Sequence, residues 1–310
     1  MRIVFCGTPE FAAPTLRAVV SAGHEVALVV SQPDRSAGRG LSERMPAVKR
    51  TAMEMGLPVV QPEKIRENAE FEAQLRAIQP EAIVVVAYGR IIPQWMLELP
   101  RHGNINLHAS LLPKYRGAAP IQWAIAKGEA ETGNTTMRLN AGLDTGEILL
   151  QSRGPIGPTQ TAVEQFHVLA EDGAELIVRT LAGLAAGSIQ ARAQDETKAT
   201  LAPLLQREDG RMEFWRDAQT LYNRWRGFQP WPGAYTTWKG SRLTVHKMRV
   251  AEDVQAGEGV MVVHMGRMYV GCGGGTALRL DEVQLEGRRR MEATEFLRGQ
   301  HGATIWRMGQ

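Results

Sequence analysis

AIVVVAY, residues 82–88, carries the fold in seven letters. It has no charge and no alternation of apolar with polar positions. A strand with one wet face alternates; a strand that is apolar throughout is buried on both faces, as in a parallel sheet covered by helices. Similar short runs flank it: RIVFC at 2–6, EVALVVS at 25–31 and NINLH at 104–108. Helical patterns lie between them. In residues 9–23, Phe11, Leu16, Val19 and Val20 recur at helical spacing and Gly23 marks the stop. Residues 46–56 open on Pro46 and close on Gly56. This alternation predicts an α/β, Rossmann-like doubly wound parallel sheet with 82–88 at its centre. Ligands of such sheets bind beyond the C-terminal ends of the strands.

INLHASLLPKYRGAAP, residues 105–120, reaches that edge. It begins as a buried strand and ends as a turn, with Asn106 and His108 at the changeover. Two residues apart on a strand, their side chains share one face. An amide donor beside an imidazole can hold a developing oxyanion while the imidazole handles a proton. A carboxylate would complete the set by orienting the ring. Asp144, between Gly142 and Gly146, can supply it; spacing alone equally allows a simple turn aspartate. The Leu-Leu-Pro turn offers an apolar wall for a flat ring, or is a plain loop.

Residues 161–187 form a long helical pattern carrying Phe166, Leu169, Leu176, Ile177, Leu181 and Leu184. After it the chain turns polar and aperiodic. The expected organisation is a catalytic domain over 1–187, a linker over 188–207 and a smaller domain over 208–310. Within the smaller domain a helix at 217–228 precedes strand-like runs at 242–250, 260–272 and 276–285, separated by Gly-rich turns, which predicts a small β-barrel.

Composition narrows the function classes. Of the 310 residues 44% are hydrophobic and 22% charged, as in soluble globular proteins. Cys6 and Cys272 belong to no Cys-x-x-Cys or Cys/His pattern, so neither a disulfide framework nor a structural metal is expected, and a reducing cytoplasm fits. No signal region or membrane span is expected. FCGTPEF, residues 5–11, has one glycine where a dinucleotide fingerprint needs three, with Pro9 where backbone must approach pyrophosphate, so NAD and FAD are not expected. Residues 204–310 carry 16 Lys/Arg against 12 Asp/Glu, a net +4 in a chain of +3. That asymmetry fits either a basic solvated surface or contact with a polyanion.

NINLHASLLPKYRGAAPIQWAI followed by GLDTG resembles the signature of the 10-formyltetrahydrofolate-dependent formyltransferases. FCGTPEFA, QPDRSAGRG and FQPWPGAY resemble the members of that family whose acceptor is the α-amine of methionine carried on initiator tRNA. The resemblance runs from Ile3 to about Tyr235 and more loosely beyond. It implies a catalytic triad of Asn106, His108 and Asp144, and a folate site including Ser110, Leu111, Leu112 and Pro113. It implies tRNA contacts from Arg35, Arg39, Arg44 and Arg207, and an OB-like C-terminal barrel against the tRNA backbone. The formyl donor would be 10-formyltetrahydrofolate, with no metal, no NAD and no obligate protein partner. Leu204 and Arg207 stand where the family commonly has lysines; Arg207 keeps the charge and Leu204 does not. Three rival readings use parts of the same pattern: a formyltransferase acting on an amino-sugar nucleotide, a 10-formyltetrahydrofolate hydrolase, and a non-catalytic RNA-binding protein. The last has no use for the triad.

Overall fold

The computed structural model describes residues 1–37, 42–300 and 305–309. In chain order, β1 (Arg2–Gly7), α1 (Ala13–Ser21) and β2 (Glu25–Val30) form the first turn of the α/β alternation. A short antiparallel pair follows, β3 (Arg35–Ala37) with β4 (Ser42–Arg44). Then come α2 (Ala47–Glu54), β5 (Val59–Val60), α3 (Ala69–Ile78), β6 (Ala82–Val86), α4 (Gln94–Leu97) and β7 (Asn104–His108). After α5 (Pro120–Ala126) the chain adds β8 (Glu131–Arg138), β9 (Ile148–Pro155) and the long α6 (Ala162–Ala185).

The first sheet is ordered β5-β2-β1-β6-β7-β8-β9, so β6 is the central strand of seven. β5 to β7 pair in parallel. All five residues of β6 are buried. Its alternate residues Ile83 and Val85 join Val4, Cys6, Leu28 and Val30 beneath Phe71 and Leu75 of α3. α1 and α2 pack together against β2. Asn68 caps α3, its side chain accepting from Phe71 N at 3.0 Å.

β8 and β9 depart from the expected all-parallel sheet, since β7–β8 and β8–β9 are antiparallel. The apolar pattern does not mark β8, ETGNTTMR, because Met137 is its one buried apolar side chain and the others, Thr132, Asn134, Thr135 and Thr136, are polar. Several of them bond to neighbouring elements. Asn134 Nδ2 donates to Leu169 O and to Asp172 on α6, and Thr136 pairs with Thr180 at 2.8 Å. Gly173 lets α6 close on Leu107, since a Cβ there would meet that side chain at 2.6 Å.

The chain divides into two compact units, one of Met1–Pro120, Glu131–Pro155 and Gln165–Pro203, the other of Ile121–Ala130, Ile156–Glu164 and Leu204–Gln310. In the second, α7 (Ala218–Gly227) leads into β10 (Ala234–Trp238), β11 (Ser241–Ala251), β12 (Val260–His264), β13 (Arg267–Gly271) and β14 (Ala277–Leu285). β15 (Met291–Glu292), α8 (Ala293–Arg298) and β16 (Ile305–Arg307) end it. The antiparallel order is β10-β11-β14-β13-β12-β16. Gly309 N donates to Thr237 O of β10, so the end of the path returns to its first strand and the sheet curls into a small barrel-like domain. Trp238, Leu243, Val245, Leu278, Leu280 and Phe296 are among its core. Among the described residues no helix is long and apolar enough to cross a membrane.

Candidate active site

On β7, Ile105 and Leu107 face one way; Asn104, Asn106 and His108 face the other, at the C-terminal edge of the parallel strands. The Asn104 amide is tied to Met96 O at 2.8 Å and Leu97 O at 3.1 Å, so it anchors α4. Asn106, half-buried, has no side-chain hydrogen bond among the described residues. His108 is buried, and its Nε2 lies 2.9 Å from Tyr115 O. A carbonyl only accepts, so Nε2 carries the hydrogen and Nδ1 is the nitrogen left to gain or lose a proton. Nδ1 faces Asp144 Oδ2 at 3.6 Å.

Asp144 arrives from the β8–β9 connection in the left-handed region, at φ 52°. That conformation is unfavourable for a residue with a Cβ and needs outside support. Three neighbours give it. Gly117 N donates to Asp144 Oδ2 at 2.8 Å, and Gln194 Nε2 donates to Asp144 O at 2.7 Å and Gly146 O at 2.8 Å. Arg116, buried, sends Nε and Nη2 to Gln194 Oε1 at 3.1 and 2.8 Å. Its other edge takes the Glu196 carboxylate with two bonds of 2.8 Å. That hydrogen-bonded carboxylate pushes the guanidinium pKa up and is itself held below the usual glutamate range.

The 110–113 turn divides by burial. Ser110 is buried, its Oγ donating to Lys114 O at 2.7 Å. Leu112 is 3% exposed and packs with Met137 and Ile148. Leu111 and Pro113 are half-buried and offer the turn's open surface. Thr135 Oγ1 accepts from Leu112 N and donates to Ser110 O, and Gln151 donates to Leu112 O, fixing the turn from β8 and β9. Sequence reasoning does not single out Tyr115, Arg116, Thr135, Gln151 or Gln194. Tyr115 and Arg116 stand inside the 105–120 motif; Gln194 lies in a polar stretch with no pattern to mark it.

Of the basic residues, Arg35 is exposed and donates to Gln32 Oε1 at 3.2 Å. Arg44 is its cross-strand partner on β4. Arg39 lies outside the described residues. Arg207 is exposed on a short 3-10 turn of the second unit, and Leu204 is exposed as well.

Family models for formyl transferase and for the formyl transferase C-terminal domain match residues 1–181 and 204–301. A protein of Acidobacterium capsulatum named methionyl-tRNA formyltransferase is 61% identical over the full length of both chains. One of the same name from Koribacter versatilis is 54% identical over all of this chain and 99% of its own. Among solved structures, the N-formyltransferase of Helicobacter canadensis in complex with folinic acid and dTDP-3-aminofucose has a TM-score of 0.66 at 16% identity, over 90% of this chain and 98% of that one, a likeness of fold. With both family models matched and full-length identity of this order, the chain belongs to the formyl transferase family.

Proposed function

We propose that this protein transfers the formyl group of 10-formyltetrahydrofolate to the α-amine of methionyl-tRNA, giving the N-formylmethionyl-tRNA that starts translation. The observation that carries the reading is the site's composition. Buried His108 facing part-buried Asp144, and the free amide of Asn106, meet at the ligand-binding edge of the sheet, in a chain 61% identical end to end to a methionyl-tRNA formyltransferase.

The chemistry needs little more. The neutral amine attacks the formyl carbon, forming the new N–C bond and a tetrahedral oxyanion. Asn106 Nδ2 and the His108 imidazolium stabilise that oxyanion, and the Asp144 carboxylate pairs with the charged ring. Collapse breaks the bond to the folate nitrogen, which takes a proton as the attacking amine loses one. His108 Nδ1 is the protein atom free to relay it, because Nε2 is committed to Tyr115 O. Leu111 and Pro113 present the surface against which the folate lies, while Ser110 and Leu112 shape the turn from beneath. Arg35, Arg39, Arg44 and Arg207 take tRNA phosphates or base edges, with the barrel-like domain along the backbone.

The test is transfer of labelled formyl from 10-formyltetrahydrofolate to methionyl-tRNA, with uncharged tRNA, free methionine and an amino-sugar nucleotide as alternative acceptors. Product with methionyl-tRNA alone supports the reading. Formate release without acceptor, or a formylated sugar nucleotide, overturns it.

A further inference from the structure

The stretch 192–202, polar and with no more than a 3-10 turn at Glu196–Lys198, is stitched to the site at three points. Arg192 and Ile148 exchange backbone hydrogen bonds of 2.8 and 2.9 Å at the start of β9. At the other end Thr200 O accepts from Arg116 N, Thr200 Oγ1 from Tyr115 N, and Ala202 N donates to Arg116 O. Between them, Gln194 reaches the Asp144 turn. We propose that Gln194 and Arg116 are positioning residues that hold the Asp144 carboxylate on His108, making this strap part of the catalytic apparatus. The proposal rests on the reading that His108 and Asp144 serve the transfer.

The Gln194 amide is forced into one orientation. Arginine has only donors and a backbone carbonyl only accepts. With Arg116 on one side and the carbonyls of Asp144 and Gly146 on the other, the amide is satisfied in a single way: Oε1 to Arg116, Nε2 to the turn. Arg116 in turn is fixed by the planar match of its fork to Glu196, its side chain only 7% exposed. Thus a chain of hydrogen bonds runs from Glu196 through Arg116 and Gln194 to the main chain of Asp144. Gly117, next to Arg116, bonds the carboxylate itself. The left-handed Asp144 has no other side-chain support at its main-chain oxygen among the described residues. Remove the two Gln194 donors and the turn is free to relax to an ordinary conformation, which carries the carboxylate away from the imidazole.

The test uses Gln194→Glu, which keeps size and shape but removes both donors, with Gln194→Ala and Arg116→Lys beside it. Steady-state formylation of methionyl-tRNA and amide hydrogen exchange at Gly117 are the readouts, with Asp144→Ala setting the scale for exchange once that bond is lost. In Gln194→Glu, kcat should fall about tenfold to a hundredfold, the cost of a misplaced group, with KM for both substrates within about twofold. The Gly117 amide should exchange faster by about tenfold or more, approaching Asp144→Ala. Arg116→Lys should move the same way, because an ammonium cannot hold Gln194 and Glu196 together. Unchanged exchange at Gly117 in Gln194→Glu, or a loss lying wholly in KM, would overturn the proposal. A wild-type protein unable to formylate methionyl-tRNA would refute the functional reading instead, and the exchange result would still decide whether Gln194 holds Asp144.

Discussion

His108 and Asp144, 36 residues apart in the chain, face each other through Nδ1 and Oδ2 at 3.6 Å, and that same oxygen accepts from Gly117 N at 2.8 Å. The carboxylate therefore has a hydrogen-bonded partner on one side and the imidazole Nδ1 on the other. The separation is long for a charged hydrogen bond. It is a distance that a small closure of the turn converts into one, and catalytic contacts commonly tighten on substrate binding.

His108→Ala, Asp144→Asn and Asn106→Ala should each lower kcat by about 10²–10³ while leaving the melting temperature near wild type. The His108→Ala/Asp144→Asn double variant should be about as slow as the worse single one, since groups acting as a unit fail together. Rate losses that multiply in the double variant would mean the two residues act independently.

The pairing of Asn106 and His108 on one face of β7 is legible in the sequence because two polar residues at a spacing of two share a strand face. The parallel strands β1, β2 and β6 are legible through their apolar runs, and β7 through Ile105 and Leu107 between its polar positions. β8 is not, because apart from Met137 its buried side chains are Thr132, Asn134, Thr135 and Thr136, and the bonds of the last three go to α6, the 110–113 turn and β9. Gln194 is equally silent. Its role depends on where two carbonyls and one guanidinium meet, and long-range satisfaction of main-chain groups leaves no periodicity in sequence.

Leu112 tests how the turn divides its labour. It is packed with Met137 and Ile148, so Leu112→Ala should destabilise the protein by about 2–5 kcal/mol, the usual cost of truncating a buried leucine. Chemical denaturation measures this directly. The folate KM, assayed well below the melting temperature, should change less for Leu112→Ala than for Leu111→Ala, since Leu111 is the leucine with open surface. A larger folate effect at Leu112 would place that side chain at the ligand.

Asp217 caps α7 in the barrel-like domain, accepting from Thr220 Oγ1 at 2.6 Å and Thr220 N at 2.8 Å. The Thr220 hydroxyl and then its amide hold the carboxyl below its ordinary 3.8. A lowered folded value means that this stabilisation is complete above about pH 4 and disappears as pH falls through the folded value. The residue is exposed, so its effect is the modest one of a cap. Asp217→Ala should cost about 1 kcal/mol at pH 7. Asp217→Asn keeps a cap without a charge, so the gap in melting temperature between wild type and Asp217→Asn should shrink between pH 7 and pH 3. A gap that widens on acidification would contradict the assignment.

Gly146 sets how closely the Asp144 turn approaches β8. A Cβ at this position would overlap the Arg138 carbonyl oxygen, which is main chain and cannot rotate away. Gly146 O is also one of the two acceptors of Gln194. Gly146→Ala must therefore push the turn off the strand, and Asp144, two residues earlier, moves with it. A displacement of about 1 Å in a catalytic group costs about 10² in rate, and overpacking against backbone costs about 1–3 kcal/mol of stability. Gly154 on β9 is the matched control, since a Cβ there meets nothing within 4 Å. Single-turnover formyl transfer at saturating substrate should be slowed about a hundredfold in Gly146→Ala and be unchanged in Gly154→Ala, with both proteins folded by circular dichroism at the assay temperature. A Gly146→Ala protein that transfers formyl at the wild-type rate would mean that the reaction tolerates movement of Asp144, and that the left-handed turn serves the sheet rather than the imidazole.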